Sequence, residues 1–205
     1  MGLTADQIRV GLDHVARHSM PMAAALQRVG YPEPRIRVRG WHTLLRTIVG
    51  QQVSVAAAAS VWNKLEGLLG QGMDPRDVLA ASFDDLRACG LSRQKQGYAR
   101  SLCELVADGA IRFDALPDDD EAAIAQLTQI KGIGRWSAEI YLLFAEGRPD
   151  IWPAGDLAVQ AGLGKLLGHA ERPDERTTRD LAEIWRPHRG AVAIFTWHCY
   201  NNPAL

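Results

Sequence analysis

Apolar residues along the chain recur at intervals of three and four, in runs closed by glycine or proline, and period-two alternation is almost absent. This pattern predicts helix after helix. Thr4 with Gln7 has the form of a capping box opening a helix to about His18, and a second short helix begins near Pro21 and stops at Gly30. YPEPRIRVRG reads as a loop with at most a scrap of strand, followed by helices over Trp41–Gly50 and Ser54–Leu69 separated by Gln51 and Gln52. Asp74 before Pro75, then Ser82 and Ser92, are successive N-cap signals, so residues 75–108 predict three short helices, the middle one ended by Gly90. The acidic stretch Asp118–Glu121 suits the positive end of a helix that runs through Ile124 and Leu127 to Ile130. KGIG interrupts, a helix resumes, and RPDIWPAGD must be a loop that delivers Asp156 to the start of the next helix. Two or three further helices include the amphipathic run around Trp185 and the apolar run Ala191–Trp197. The predicted fold class is all-α.

Composition narrows the class. The chain has 205 residues, 47% of them hydrophobic, enough for a real core and against disorder as the main state. Without repeats, low-complexity tracts or linkers, any two lobes are expected to be interlocked. Apolar runs fall short of the roughly 18–20 residues that span a bilayer, and no secretion signal is visible, so a cytoplasmic protein is expected, with no membrane contact. Cys89, Cys103 and Cys199 are scattered without the spacing of a zinc site, disulfide framework or iron–sulfur cluster, and the histidines show no metal-ligand spacing. With a net charge of −1, nucleic acid could be bound only by a local patch, with modest non-specific affinity and a strong salt dependence. Candidates for such a patch are Arg35, Arg37, Arg39, Arg46, Arg93, Lys95 and Arg100, together with Lys131 and Arg135; charge runs are also ordinary solvated faces.

LTQIKGIGRWSAEIYLLF is the most informative stretch, a helix, the turn Lys131-Gly132-Ile133-Gly134, and at once another helix. Two glycines permit a turn that side chains would block, and the second helix presents N–H groups to a phosphate oxygen, with Ile133 tucked back as a hydrophobic pin. An ordinary helical hairpin with a glycine turn is the plainer alternative. The fuller pattern L-x-x-I-K-G-I-G-R-W-S-A resembles the helix-hairpin-helix motif, which grips one strand's phosphates without reading sequence. Beyond it, RGWHTLLRTIVGQQVSVAAAASVWNKLE, GLSRQKQGYARSLCELV, IWPAGDLAVQAGLGKLL and WRPHRGAVAIFTW resemble the corresponding blocks of the 3-methyladenine DNA glycosylase II family of base-excision enzymes. The resemblance runs over about residues 37–200. The chain starts too early in that fold to carry the longer members' N-terminal β-domain, so it resembles a short form.

The resemblance implies two interlocked helical lobes with an active-site cleft between them: one of about 1–45 plus 165–205, the other about 46–164 with the hairpin at 120–146. It implies a monomeric hydrolase that flips alkylated purines of the 3-methyladenine type out of double-stranded DNA and cuts the N-glycosidic bond, leaving an abasic site. The alternatives are a glycosylase for deaminated or etheno purines and a non-catalytic DNA-binding module. Asp156 stands in the place of the family's carboxylate, which faces the positive charge developing on the deoxyribose; an aspartate before an apolar helix is also an ordinary N-cap. Trp136 and Trp197 match positions facing the flipped base, although either could be core, and Ile140 stands where the family has a pocket tyrosine. Gln51 and Gln52 occupy the wedge turn, Gln52 being favoured as the wedge, and Lys131, Gly132, Ile133, Gly134 and Arg135 form the DNA-gripping hairpin. Where bifunctional relatives carry a Schiff-base lysine this chain has Trp136, which implies no lyase activity. No cofactor is expected beyond a monovalent cation that the hairpin backbone could hold, and a bacterial source would place the protein at the nucleoid.

Overall fold

The computed structural model describes residues 2–202, and among these every regular element is helical. The helices are α1 (Ala5–Ala16), α2 (Met20–Val29), α3 (Trp41–Gly50), α4 (Val55–Leu69), α5 (Pro75–Ala80), α6 (Phe83–Ala88), α7 (Arg93–Ala107), α8 (Asp120–Leu127), α9 (Arg135–Tyr141), α10 (Leu157–Leu167), α11 (Glu175–Leu181) and α12 (Arg189–Asn201). The caps are those the sequence advertises. Thr4 and Gln7 close a reciprocal capping box, as do Asp74 with Asp77 and Ser82 with Asp85, and Ser54, Ser92, Asp119 and Asp156 each accept a backbone N–H of the helix they open.

One segment is the loop that the sequence reading expects, and two details differ from that reading. Residues 31–39 contain no strand; the segment is irregular, tied down where the Arg37 N–H donates to Phe144 O at 2.8 Å. Helix α8 ends at Leu127 rather than Ile130, because Gln129 and Ile130 bond back only three residues, to Gln126 and Leu127, and tighten the chain into the hairpin turn. Helix α9 widens after Tyr141 into a π-type turn, Leu142–Glu146, closed by Gly147 in the left-handed conformation.

The described chain divides into two compact units. One holds the residues up to Arg37 and those from Glu139 onward; the other holds Val38–Ala138. The division expected from the resemblance is about 1–45 plus 165–205 against 46–164, of which residues 1 and 203–205 lie outside the described residues. The chain returns to the first unit in the middle of α9 because the residues after that point belong to the core around α10 and α12. Residues Ile140–Ala145 are buried, and Gly190 of α12 approaches the next loop so closely that a Cβ would lie 2.7 Å from Pro149 O. Asp150 of that loop is gripped by Arg189, whose Nε and Nη2 donate to its two oxygens at 2.9 Å each, a two-pronged geometry that orients as well as binds.

In the first unit α12 packs along α10 and α1, and α2 covers another part of α10. Gly162 makes the α10–α12 contact close: a Cβ there would lie 2.3 Å from Thr196 O, a main-chain atom that cannot swing aside. In the Val38–Ala138 unit, α7 is the central helix, with α3, α5 and α6 packed on it around a core that includes Leu44, Ile48, Leu86 and Leu102.

The two kinds of helical glycine predict opposite signs. Gly162→Ala should destabilise by about 1–3 kcal/mol through overpacking. Gly67→Ala, exposed in α4 with nothing within 4 Å of the new methyl, should stabilise by about 0.5–1 kcal/mol. Urea unfolding of the pair checks both, and equal effects would contradict the close α10–α12 approach.

Candidate functional site

Asp156 is reached through a turn. Pro153 and Gly155 break any helix, Asp156 N–H donates to Pro153 O at 2.9 Å, and the half-buried carboxylate caps α10. Its Oδ1 accepts the N–H groups of Ala158 and Val159 at 2.9 Å each. A plain helix cap would need no more. Here the same oxygen also accepts the indole Nε1–H of Trp197 at 3.0 Å, from a residue 41 positions further along on α12. An indole N–H lies in the ring plane, so this bond sets the Trp197 ring edge-on to the carboxylate. Phe144 packs against the ring with centroids 5.5 Å apart. Trp197 is only 7% exposed and Ile140 6%, so both are buried.

The hairpin lies in the other unit. Ile133 is buried as the pin that the sequence suggests. Gly132 has φ 83°, a left-handed conformation that disfavours a side chain, and a Cβ would collide with the Tyr98 ring at 2.2 Å. Lys131 N–H donates to Ser101 Oγ at 3.1 Å, which ties the turn to α7. Gly134 O accepts from Ala138 N at 3.1 Å, so α9 starts at the exposed end formed by Gly134, Arg135 and Trp136. The Arg135 guanidinium makes a two-pronged contact with Glu121 at the start of α8. Trp136 is 46% exposed and is the one tryptophan among the large exposed hydrophobics.

The Gln51–Gln52 turn lies in the same unit as the hairpin, and the two glutamines differ. Gln51 Nε2 donates to Gly132 O at 2.8 Å, joining the turn to the hairpin. Gln52 is exposed and adopts φ 54°, the only non-glycine residue with positive φ among the described residues, a conformation that costs about 1–2 kcal/mol. Lys95 Nζ donates to Val49 O at 2.8 Å, placing a cation at the carbonyl end of α3 just before the turn; burial holds its pKa below the usual lysine value.

Several expected cations therefore serve the protein itself. Besides Lys95, Arg100 donates to the carbonyls of Leu79 and Ala81, and Arg46 lies 3.9 Å over the Trp62 ring. Burial pushes the Cys103 and Cys199 thiols up to about 12 and raises Cys89 as well, which leaves no reactive thiolate near neutrality. Among the described residues no group of three or more His, Cys, Asp or Glu could hold a metal ion, and no helix is long and apolar enough to cross a membrane. Sequence reasoning missed Gly162 and the bond it permits from α12 to Asp156, the Gln51–Gly132 tie, and the Asp150–Arg189 grip. Gly162 alone carried a signal, as a glycine inside an apolar helix.

Known proteins resemble this chain over most of its length. The family described as "HhH-GPD superfamily base excision DNA repair protein" matches residues 45–187. DNA-3-methyladenine glycosylase 1 of Schizosaccharomyces pombe is 32% identical over 161 residues, 77% of this chain and 71% of that protein. The structure of the S. pombe 3-methyladenine DNA glycosylase Mag1 in complex with abasic DNA superposes with a TM-score of 0.81 at 28% identity, over 95% of this chain and 98% of that one. The DNA-3-methyladenine glycosidase of Bacillus halodurans gives a TM-score of 0.78 at 29% identity, over 83% and 79%. The family match covers most of the chain, and the Asp156 turn, the glycine hairpin and the glutamine turn all fall inside it: the chain belongs to the HhH-GPD superfamily of base excision DNA repair proteins.

Proposed function

We propose that the protein is a monofunctional DNA glycosylase that removes alkylated purines of the 3-methyladenine type from double-stranded DNA, with Asp156 as its catalytic residue. The observation that carries this reading is the third hydrogen bond on Asp156 Oδ1, from Trp197, which a helix cap does not require. As the N-glycosidic bond breaks, its electron pair leaves with the base and positive charge grows on the deoxyribose. A carboxylate held in place by three donors faces that charge without having to reorganise, and so stabilises the transition state more than the ground state. Water then adds to the sugar carbon and loses a proton, leaving an abasic site.

The hairpin supplies the grip. The N–H groups at the exposed start of α9, from Gly134 to Trp136, receive a backbone phosphate, with Lys131 and Arg135 alongside. Gln52 is the wedge that fills the gap left by the flipped nucleotide; its unfavourable backbone conformation is the kind of outlier that concentrates at working positions. Gln51 braces the wedge turn against the hairpin. Trp136, the exposed tryptophan of α9, is the residue proposed to stack on the electron-poor alkylated base; Trp197, buried and edge-on to Asp156, and Ile140, apolar where the resemblance implies a tyrosine, complete the proposed base pocket and bear on which bases are accepted. A monovalent cation at the hairpin would share carbonyls that already accept hydrogen bonds, Gly132 O from Gln51 and Ile130 O from Ile133, and no step of the reaction passes through it. The enzyme acts as a monomer on chromosomal DNA, in the cytoplasm and at the nucleoid if the source is bacterial.

Release of free bases from methylated duplex DNA tests the reading. Wild type should release 3-methyladenine; Asp156→Asn should be slower by about 10²–10³-fold while still binding an abasic-site analogue. A folded, DNA-binding wild type that releases no base from alkylated, deaminated or etheno-bearing DNA would leave only the binding-module alternative. Borohydride should trap no covalent complex on damaged DNA, since Trp136 offers no amine; efficient trapping would overturn the monofunctional assignment. At the wedge, Gln52→Ala and Gln52→Gly should both weaken abasic-analogue binding, but only the glycine variant should gain stability, by up to about 1 kcal/mol. Unchanged affinity in both would count against the wedge.

A further inference from the structure

The turn that presents Asp156 is secured by a residue of the helix that it opens. Within the turn, Ala154 N–H donates to Trp152 O and Asp156 N–H to Pro153 O, at 2.9 Å each, and Pro153 has no N–H of its own to add. The Ala154 carbonyl is turned into the protein, where Ala154 is fully buried. There it accepts the side-chain Nε2–H of Gln160 at 2.8 Å. Gln160 stands one helical turn beyond Asp156, and its main-chain N–H donates to Asp156 O at 2.9 Å. One residue therefore holds both ends of the segment Ala154–Asp156, by its side chain at one end and its main chain at the other.

A buried amide on α10 between Val159 and Leu163, both fully buried, is an expensive choice unless it serves a partner, because a polar group out of water must have its hydrogen bonds made. An aliphatic side chain would fill the position but leave the Ala154 carbonyl buried without this donor. We infer that Gln160 is a positioning residue: its amide clamps the turn and thereby sets where the Asp156 carboxylate stands, without itself touching DNA. This rests on the catalytic reading of Asp156. Misplacement by about 1 Å lowers a rate by as much as about 10²-fold, so the clamp governs the chemical step rather than the grip on DNA.

Single-turnover base release, affinity for an abasic-site analogue and thermal unfolding, measured on the full chain, test this. Gln160→Met, of similar length and without a donor, should release base about 10–100-fold more slowly with analogue affinity unchanged within about twofold, in line with losses on removing a supporting hydrogen bond elsewhere. Gln160→Glu can donate to the Ala154 carbonyl only when its carboxyl is protonated, and burial raises a carboxyl's pKa. Its release, relative to wild type, should therefore recover as pH falls from about 7.5 to about 5.5. A Gln160→Met enzyme releasing base at the wild-type rate overturns the inference, as does one that loses rate, affinity and stability in parallel. Should the methionine variant not fold, a Gln160→Glu enzyme whose ratio to wild type is flat across that range overturns it instead. If Asp156→Asn keeps full activity, the catalytic reading itself fails, an outcome distinct from an active Gln160→Met beside an inactive Asp156→Asn.

Discussion

The close approach of α10 and α12 at Gly162 is the constraint on which the arrangement around Asp156 depends. Helix pairs carrying ordinary side chains hold their axes about 8–10 Å apart. Gly162 lets the Thr196 carbonyl come to where a Cβ would stand, and the next residue along, Trp197, then reaches across to the carboxylate that caps α10. Main-chain proximity, a helix cap and an indole N–H converge on one oxygen. None of the three would suffice alone: a capping carboxylate without the indole is merely a cap, and the indole without the glycine could not arrive. The grip of Arg189 on Asp150 and the clamp of Gln160 on Ala154 extend the same logic along the loop, which carries two prolines between Arg148 and Asp156 and is held by side-chain bonds at both ends.

The hairpin solves a different problem with similar means. To grip phosphate as proposed, its turn must present main-chain N–H groups outward, and a turn placed after a tight helix end has little regular structure to stiffen it. Stiffness comes from its neighbours: the Tyr98 ring against Gly132, Ser101 on the Lys131 N–H and Gln51 on the Gly132 carbonyl. The glutamine bond has a second effect. It joins the turn carrying Gln52 to the hairpin turn, so the proposed wedge and the proposed phosphate grip are spaced by a direct hydrogen bond as well as by the helices that bear them. Lys95, capping α3 at Val49, fixes the same wedge turn from its other end.

How much the sequence disclosed depends on the range of the interactions involved. Helix starts at Thr4, Ser54, Asp74, Ser82, Ser92, Asp119 and Asp156 were legible because capping is local, decided within three residues. Asp156 as a cap was legible on the same ground. Its role beyond a cap came only through resemblance, since the bond that distinguishes it joins residues 41 positions apart. The two units divide inside α9, where no glycine, proline or polar stretch marks a boundary, so that division has no local signature in the sequence. Gln160 carries no signature, and Gln51, which the resemblance places in the wedge turn with Gln52, gives no sign of its bond to Gly132. A glutamine in a helix or turn looks solvated until the buried carbonyl that it answers is known.

The near-neutral charge has a physical meaning once the partners of the cations are known. The number of lysines and arginines in the blocks that carry the resemblance suggests a basic patch, yet Lys95 and Arg100 answer main-chain carbonyls and Arg46 lies on Trp62. Cations engaged in this way neutralise few phosphates, so the strength of non-specific binding and its dependence on salt are set by fewer charges than the sequence contains. Weak, sequence-blind attraction suits an enzyme whose target is a rare lesion: it must leave undamaged DNA quickly and commit only where a base comes out of the stack. On the proposed reading, commitment then rests on neutral parts, the N–H groups of the hairpin, the glutamine wedge and the indole rings, with the Asp156 carboxylate reserved for the charge that appears only when the bond breaks.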